Sequence, residues 1–370
     1  MRNTPGFLSN QIIWVLIFST HLISLSIGAQ HAKIDSLQAE INKETSDSTR
    51  VNLLNELGLE YLMEEAFEDA LKYCNQALET SEAIDFPKGK AYSLKNIGLI
   101  KYYQGEYSSV FDYWTRSLEE FEVIQDTLGI ANMSSNVGVI YYDQGSHARA
   151  LDYYLQSLRY SEFLKDPVRI STALINIGGV YAQMEEYEKA LYYYKQFELY
   201  RSEIDDPEFE TTFLMGIGEV YSKDKDHAKA LLNFEEALET TQIAADSAHI
   251  LTMIGKEELA LGNRAKAISY FDEAYEIAKE KNLALDLVQT RLALGGIYLQ
   301  NDPKKALETF EEGAFIAKAM SINEELRDIY HGMSEAYLNL GDYKNAYVYQ
   351  EEFLKLKDSI FNIETDDKIR

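Results

Sequence analysis

The sequence predicts an all-α protein, an α-solenoid of about eight antiparallel helix pairs. Three observations predict it: glycine recurs at a fixed interval, the residues around each glycine follow helical spacing, and no convincing alternating strand segment appears. The interval is forty residues, it contracts to thirty-seven once, and Ser334 takes the eighth position. An interval of this size is typical of stacked-repeat architectures. The repeat glycines are Gly58, Gly98, Gly138, Gly178, Gly218, Gly255 and Gly295.

Each repeat divides into two predicted helices. The residue before the glycine is apolar, the third residue after it is tyrosine in six repeats, the twelfth is small, and the sixteenth is usually aromatic. Spacings of three, four and seven place these positions on one helical face. Glycine inside a helix costs about 1 kcal/mol relative to alanine, so its recurrence needs a packing reason. We therefore expect the two helices to approach closely at the glycine. In the first and eighth repeats, Cys74 and Gln350 stand in place of the aromatic ring.

The turns are marked as well. Seven residues after the repeat position, four repeats carry a second glycine, which suits a left-handed helix end: Gly105, Gly145, Gly262 and Gly341. Aspartates before the following helices predict N-terminal caps at Asp126, Asp166, Asp206 and Asp246.

The ends of the chain differ from the array. Residues 1–29 combine Arg2, an apolar run over 12–27 and small residues at Gly28 and Ala29. This order is typical of a secretory signal peptide, so we expect export to the periplasm, or a membrane anchor if the segment is not cleaved. Residues 30–50 are predicted as a helix leading into the array, 51–358 as the array, and 359–370 as a helical extension that would begin a stalk.

Composition excludes several classes of function. The net charge is −26 and no lysine- or arginine-rich stripe stands out, so nucleic acid and anionic membranes are not expected partners. The single cysteine, Cys74, makes an internal disulfide impossible and is interpreted as a small core residue. The histidines lack metal-ligand spacing, and no phosphate loop or nucleophile motif appears. We therefore predict no catalytic site, no metal and no cofactor.

The order of glycine, tyrosine, small residue and aromatic ring resembles the tetratricopeptide repeat, in its forty-residue variety. The resemblance covers about residues 51–355. HEAT and armadillo repeats have a similar period, but this order of residues is not expected in them. The resemblance implies a right-handed superhelix whose first helices line a concave face that receives peptides, often in extended form.

On those first helices, three successive repeats carry asparagine two residues before the glycine. Side-chain amides offer donors and an acceptor that suit a peptide backbone, so they would form a ladder along a bound strand. Nearby tyrosines would supply apolar area with polar tips. The alternative is that the asparagines bond neighbouring helices or face water. The candidate peptide-binding residues are Asn96, Asn136, Asn176, Tyr92, Tyr102, Tyr103, Asn132 and Tyr142.

The residues around Gly98 bear on how a ligand carboxylate would be bound. Some members of the resembled family hold a C-terminal carboxylate with a lysine three residues before the glycine and an asparagine just after it. Here only Lys95 fits the first position and Leu99 follows Gly98, so we do not expect that clamp.

The segments Asp47–Asn55 and Leu356–Asn362 resemble the ends of exported sensor regions in Bacteroidetes-type signalling proteins.

Three hypotheses follow. The first is an exported, non-catalytic module that binds a protein or an extended peptide segment, as a sensor or scaffold. The second is the sensor half of a histidine kinase or nucleotide cyclase whose catalytic domain lies beyond residue 370. The third is an assembly scaffold that self-associates through uncapped ends.

Overall fold

The computed structural model describes residues 27–44, 46–204 and 206–369. Within these ranges the regular elements are seventeen α-helices and one 3-10 helix, Arg201–Glu203, which confirms the predicted all-α solenoid of helix pairs. Most of the predicted signal peptide lies outside the described residues. The helices are α1 (Ile27–Lys43), α2 (Asp47–Met63), α3 (Phe67–Ala83), α4 (Pro87–Tyr103), α5 (Tyr107–Val123), α6 (Thr127–Asp143), α7 (His147–Leu164), α8 (Pro167–Gln183), α9 (Tyr187–Phe197), α10 (Pro207–Lys223), α11 (His227–Thr240), α12 (Ala244–Ala260), α13 (Arg264–Lys281), α14 (Ala284–Tyr298), α15 (Pro303–Met320), α16 (Asn323–Asn339) and α17 (Tyr343–Ile369).

The chain divides between Val180 and Tyr181 into two compact units. In the N-terminal unit, α2 pairs with α3, α4 with α5, and α6 with α7, while α1 packs on α2. In the C-terminal unit the pairs are α10 with α11, α12 with α13, α14 with α15, and α16 with α17. Across the described helices, no stretch combines the length and hydrophobicity that a bilayer crossing requires.

Five repeat glycines lie where an aromatic ring of the paired helix covers them, as the sequence pattern predicts: Gly98, Gly138, Gly218, Gly255 and Gly295. A Cβ atom added to Gly138 would lie 2.6 Å from the ring of Tyr154, and one added to Gly218 would lie 2.5 Å from the ring of Phe234. Such distances are far below van der Waals contact, so only glycine lets the backbone of the first helix approach the ring. In the first repeat the sulfur of Cys74 takes the place of the ring, and Cys74 is fully buried, as predicted.

The eighth repeat replaces both partners of this contact. Ser334 stands in place of glycine and Gln350 in place of the ring. Ser334 is buried, and its hydroxyl donates a hydrogen bond of 2.9 Å to the carbonyl of Ala346. Because Gln350 places no ring at this contact, there is room for the side chain of Ser334.

The predicted turns and caps are largely confirmed. The four turn glycines have φ between +70° and +85°. Asp126 accepts from the Gly129 N–H at 2.9 Å, Asp166 from Arg169 at 3.1 Å, and Asp206 from Glu208 at 3.0 Å. The predicted cap at Asp246 is wrong, because α12 begins two residues earlier, at Ala244, with Ile243 preceding it.

First helices of successive pairs also lie side by side. In the N-terminal unit α2 contacts α4, and in the C-terminal unit α14 contacts both α12 and α16. The first helices of each unit therefore form one face, which we call the first-helix face. The predicted binding residues lie on the first helices α4, α6 and α8.

Candidate functional site

Asn96 lies inside the N-terminal unit rather than on its surface. Only 1% of the residue is exposed, and its amide nitrogen lies 3.3 Å from the side-chain oxygen of Asn55 on α2. The Asn55 amide in turn donates to the hydroxyl of Ser93 at 2.9 Å. This buried chain of polar groups joins α2 to α4, which favours the alternative that Asn96 bonds a neighbouring helix.

The other two asparagines of the predicted ladder are placed differently. Asn176 is buried, and its amide nitrogen makes no hydrogen bond within the described part of the chain. Asn136 is half-buried. The three asparagines therefore do not form a row of exposed amides in this structure. Contact between these asparagines and a ligand stays a prediction.

Tyr92 and Asn132 belong to a cluster on the first-helix face of the N-terminal unit, which we call the cationic cluster, together with Lys95 and Arg169. The ammonium of Lys95 lies 5.3 Å from the centre of the Tyr92 ring. The Nε of Arg169 donates to the side-chain oxygen of Asn132 at 2.9 Å, and Arg169 also pairs with Asp166. Helices α4, α6 and α8 thus each contribute to a surface with two cations, an aromatic ring and an amide.

Lys95 is the unusual member of this cluster. Burial lowers the pKa of its ammonium, Arg169 lowers it further, and the group that opposes this shift is the thiol of Cys74. Among the described residues Lys95 has no carboxylate within ion-pair distance. In a chain with 61 acidic residues, a half-buried lysine without an acidic partner is a position where an anionic group would be stabilised.

Two of the remaining predicted tyrosines, Tyr102 and Tyr103 at the end of α4, form an aromatic surface with Tyr107 at the start of α5. The Tyr102 ring lies edge-on to Tyr103 at 6.1 Å and to Tyr107 at 5.4 Å between centroids. Tyr103 is 53% exposed, whereas Tyr142 is buried. Desolvation raises the pKa of Asp143, beside these rings, to about 7. Contact of Tyr102 and Tyr103 with a ligand stays a prediction, whereas the burial of Tyr142 argues against such contact there.

Sequence reasoning missed a group of charged residues on the first-helix face of the C-terminal unit. His249 Nδ1 lies 3.5 Å from Asp286 Oδ1, with both side chains largely buried. Burial raises the pKa of Glu219, while His249 and Lys256 act against this shift. Desolvation and the charge of Glu208 raise the pKa of Asp246 to about 6. Their signal in the sequence was the presence of acidic residues on predicted first helices: Asp246 and Asp286 lie nine positions before a repeat glycine, where the eighth repeat carries Glu325. In the described ranges no group of three or more His, Cys, Asp or Glu side chains could hold a metal ion.

The comparison with protein families identifies the repeat. Residues 129–197 and 209–280 match one profile of the tetratricopeptide repeat, and residues 328–359 match another. The chain is a tetratricopeptide repeat protein. A curated relative, tetratricopeptide repeat protein 29 of Trypanosoma brucei brucei, is 26% identical over 98 residues, which cover 25% of this chain and 20% of that protein. The match therefore spans about a fifth of the relative's length.

Solved structures show the same fold in other tetratricopeptide proteins at low identity. The apo form of the quorum sensor NprR from B. thuringiensis has a TM-score of 0.70 at 16% identity, covering 89% of this chain and 94% of that one. The Rap conjugation gene regulator of the plasmid pLS20, in complex with the Phr* peptide, has a TM-score of 0.59 at 13% identity, covering 90% and 96%. At these identities the likeness establishes the fold of this chain.

Proposed function

We propose that this protein is an exported, non-catalytic binding module whose N-terminal unit holds an extended peptide segment of a partner protein. The observation that carries the proposal is Lys95, a half-buried cation without an acidic partner among the described residues. The segment would run along the first-helix face and place a carboxylate at Lys95. Its side chains would contact Tyr102 and Tyr103 at the end of α4.

Charge and geometry support a carboxylate at this position. The guanidinium of Arg169 acts on Lys95 and is itself held by Asn132 and Asp166, so the two cations are kept on one surface. An anion placed there would offset the repulsion between them and raise the pKa of Lys95 towards its ordinary value. The Tyr92 ring beside Lys95 offers an apolar surface for the neighbouring residue of the segment.

The comparisons agree with a peptide as the partner. The pLS20 regulator, of the same fold, is in complex with a peptide, and we extend this class of ligand to the present chain. The asparagine and lysine pattern of the carboxylate clamp is incomplete here, since Leu99 follows Gly98. We therefore propose an internal or terminal carboxylate held by Lys95 with Arg169, in a different arrangement from that clamp.

The test uses a display library of random ten-residue peptides, selected on the purified chain and then measured singly by fluorescence anisotropy. We expect selected peptides to contain an acidic residue or to need a free C-terminus. Lys95→Met, which keeps an unbranched side chain one atom shorter, should weaken binding about tenfold or more, because it removes one desolvated charge pair.

The matched control is Lys72→Met, which makes the same change on the outer surface of α3. It should leave the affinity unchanged. Equal affinities of Lys95→Met and the unaltered chain for every selected peptide, with unchanged helicity, would remove Lys95 from the proposal. Failure to select any peptide would count against peptide binding itself.

Export is a separate part of the proposal. It is supported by the charged, apolar and small-residue order of residues 1–29. Expression of the full chain in a Gram-negative host should yield a periplasmic product whose intact mass corresponds to cleavage near residues 28–29. A cytoplasmic product with its first residues intact would contradict export.

A second candidate is the sensor half of a signalling enzyme. It is favoured by the length of α17, which has 27 residues, whereas α13, the second helix of an earlier pair, has 18. A helix of that length suits the start of a stalk. Sequencing the gene beyond codon 370 decides this point: a continued reading frame that encodes a catalytic domain supports it, and a stop codon removes it.

A further inference from the structure

Three tyrosines meet at the turn between α4 and α5 in the N-terminal unit. The ring centroid of Tyr102 lies 6.1 Å from that of Tyr103 and 5.4 Å from that of Tyr107, at interplanar angles of 88° and 77°. Tyr103 and Tyr107 are exposed, whereas Tyr102 is partly buried and stacks on the buried ring of Trp114 at 5.8 Å between centroids. Two exposed rings therefore stand almost perpendicular to a third ring that the core supports.

These three tyrosines belong to the second repeat and are not part of the repeat pattern. They lie four, five and nine residues after Gly98, and the second repeat is the one that carries tyrosine at all three positions. In the fifth repeat the same positions hold Ser222, Lys223 and His227. Helix pairs elsewhere in the chain form without these rings, so the pairing of α4 with α5 does not by itself explain them.

The carboxyl group of Asp143, at the end of α6, lies beside the rings. Next to desolvation, the charge of Asp143 raises the pKa of Tyr102 and of Tyr107, so this carboxyl group is within electrostatic range of both hydroxyl groups. The residue is exposed, yet desolvation raises the pKa of Asp143 itself to about 7, and no neighbouring cation opposes that shift. Asp143 is thus an accessible acid without a compensating positive charge.

Perpendicular aromatic rings next to a carboxylate suit one class of ligand, a quaternary ammonium ion. The faces of aromatic rings carry negative potential and attract a cation. A methylated ammonium group is less strongly hydrated than a primary one, so it loses its water at lower cost and packs its methyl groups against the rings. A cation beside Asp143 would also stabilise the ionised carboxylate. Lys101, near the end of α4, is already paired with Glu106 at 2.9 Å.

We propose that Tyr102, Tyr103 and Tyr107 form an aromatic cage that, together with Asp143, binds the trimethylammonium group of a small organic cation. The rings surround the methyl groups, and the carboxylate compensates the positive charge. The net charge of −26 attracts such a cation at long range as well. This activity goes beyond the binding of a peptide segment and does not involve Lys95.

The experiment measures three small molecules by isothermal titration calorimetry on the full chain at fixed ionic strength. The probes are choline, its neutral isostere dimethylbutanol, in which carbon replaces the ammonium nitrogen, and ethanolamine, whose ammonium group carries no methyl groups. We expect choline to bind with a Kd of about 1 mM or below, and each of the other two to bind at least about tenfold more weakly.

Variants of the cage sharpen the test. Tyr103→Leu and Tyr107→Leu should each weaken choline binding about three- to tenfold, because each removes one ring face. The matched control is Tyr192→Leu. Tyr192 is exposed to a similar extent, and its ring stands at 87° to that of Tyr193, but it lies outside the cage. This control should bind choline like the unaltered chain.

The carboxylate is tested in the same way. Asp143→Asn should weaken choline binding about tenfold and leave the binding of dimethylbutanol unchanged. Asp152→Asn removes the same charge from an exposed position of α7 in the same unit, so it should have no effect on either probe. Equal losses in the two variants would mean that the overall charge of the chain, and not Asp143, attracts the cation.

The source of the trimethylammonium group is distinguished with vesicles. Co-sedimentation of the chain with phosphatidylcholine vesicles, but not with phosphatidylglycerol vesicles, and its reversal by choline would assign the cage to a lipid headgroup. Binding of choline without co-sedimentation would assign it to a free solute.

Three outcomes would overturn the proposal. Equal affinities for choline and dimethylbutanol would exclude recognition of the charge. Unchanged choline affinity in folded Tyr103→Leu and Tyr107→Leu chains would remove the cage as the site, and absence of any heat of binding at about 10 mM choline would remove the activity. If the leucine variants were misfolded, the three probes on the unaltered chain and Asp143→Asn still decide. Lys95→Met should bind choline normally, so failure of the proposed peptide function is distinguishable from failure here.

Discussion

Gly295 and Gly296 are neighbours in α14, yet only the surroundings of Gly295 demand glycine. At Gly295 the buried ring of Phe310 occupies the space of a side chain. At Gly296 that space is empty. The same residue type thus serves helix packing at one position, whereas no neighbouring atom requires it at the next.

Alanine substitutions at these two positions should have opposite effects on stability. Gly295→Ala should lower the free energy of unfolding by about 1–2 kcal/mol, because overpacking outweighs the gain in helix propensity. Gly296→Ala should raise it by about 0.5–1 kcal/mol, since nothing opposes that gain. Urea unfolding of both variants checks this. Since the unfolded chain changes equally in the two, a shift of the same sign in both would contradict the packing difference.

Asp246 should make the stability depend on pH. Its pKa is raised from 3.8 to about 6 by desolvation first and by the charge of Glu208 second, against the opposing effect of His249. The folded state then holds the proton more tightly than the unfolded chain, so the contribution of Asp246 is fully present below about pH 4 and is lost as pH rises through about 6.

Asp246→Asn tests this contribution. The variant should unfold at nearly the same urea concentration as the unaltered chain near pH 3.5, and should be the more stable of the two at about pH 7.5. Urea midpoints measured across this range give the comparison. Parallel pH profiles for the two proteins would show that Asp246 titrates alike in the folded and unfolded states.

At the scale of the element, the turn between paired helices keeps one backbone conformation in seven of the eight repeats, whatever residue occupies it; in the turn before α15, Asp302 has φ −145° instead. Seven residues after the repeat glycine, glycines such as Gly145 and Gly262 have positive φ, but so do Glu65 at +57° and Lys225 at +65°. The left-handed end is therefore imposed by the antiparallel pairing of the helices. Residues other than glycine adopt it at a cost in conformational energy.

Reciprocal substitutions measure that cost. Lys225→Gly should raise the free energy of unfolding by up to about 1 kcal/mol, and Gly262→Lys should lower it by a similar amount. Thermal and urea unfolding of both variants provide the values. Loss of stability in Lys225→Gly would mean that the lysine side chain, and not the backbone, determines that turn.

Much of this element-scale structure was predictable, because each feature depends on residues close together in the chain. The caps at Asp126 and Asp206 and the turn at Gly262 require only a helix boundary and one side chain. The start of α12 was mispredicted at Asp246 because the local signals are weak there. Residues Thr241 to Ile243 follow α11 without a marked cap, and α12 begins at Ala244. Local signals fail where the chain leaves one helix and enters the next within a few residues.

At the scale of the whole molecule, net charge is the dominant electrostatic feature. A charge of −26 on one chain opposes the compact state through repulsion among its own carboxylates. Against this background Lys95, which has no carboxylate within ion-pair distance among the described residues, attracts anionic groups only at short range. Binding of an acidic partner at Lys95 should therefore combine a local attraction with a long-range repulsion.

Salt should stabilise the folded chain by screening this repulsion. Between about 20 and 300 mM NaCl, where the screening length shortens from above 20 Å to below 10 Å, the melting temperature should rise. Scanning calorimetry at pH 7.5 measures it, and KCl at equal ionic strength should have the same effect. Near pH 4.5 the rise should be smaller, because many carboxylates are protonated. A melting temperature that is independent of salt at pH 7.5 would contradict self-repulsion.

The sequence by itself determined the repeat, the buried contact of glycine with the ring, and most turns, because each rests on spacings within one helix pair. Only the tertiary structure decided which polar residues are available to a ligand. Asn96 pairs with Asn55 across 41 residues, and Lys95, Asn132 and Arg169 meet only after α4, α6 and α8 stack. Gly296 looked like part of the repeat until its empty surroundings distinguished it from Gly295. The physical reason is that periodicity specifies how a helix packs, whereas exposure and charge at a site depend on neighbours from other repeats.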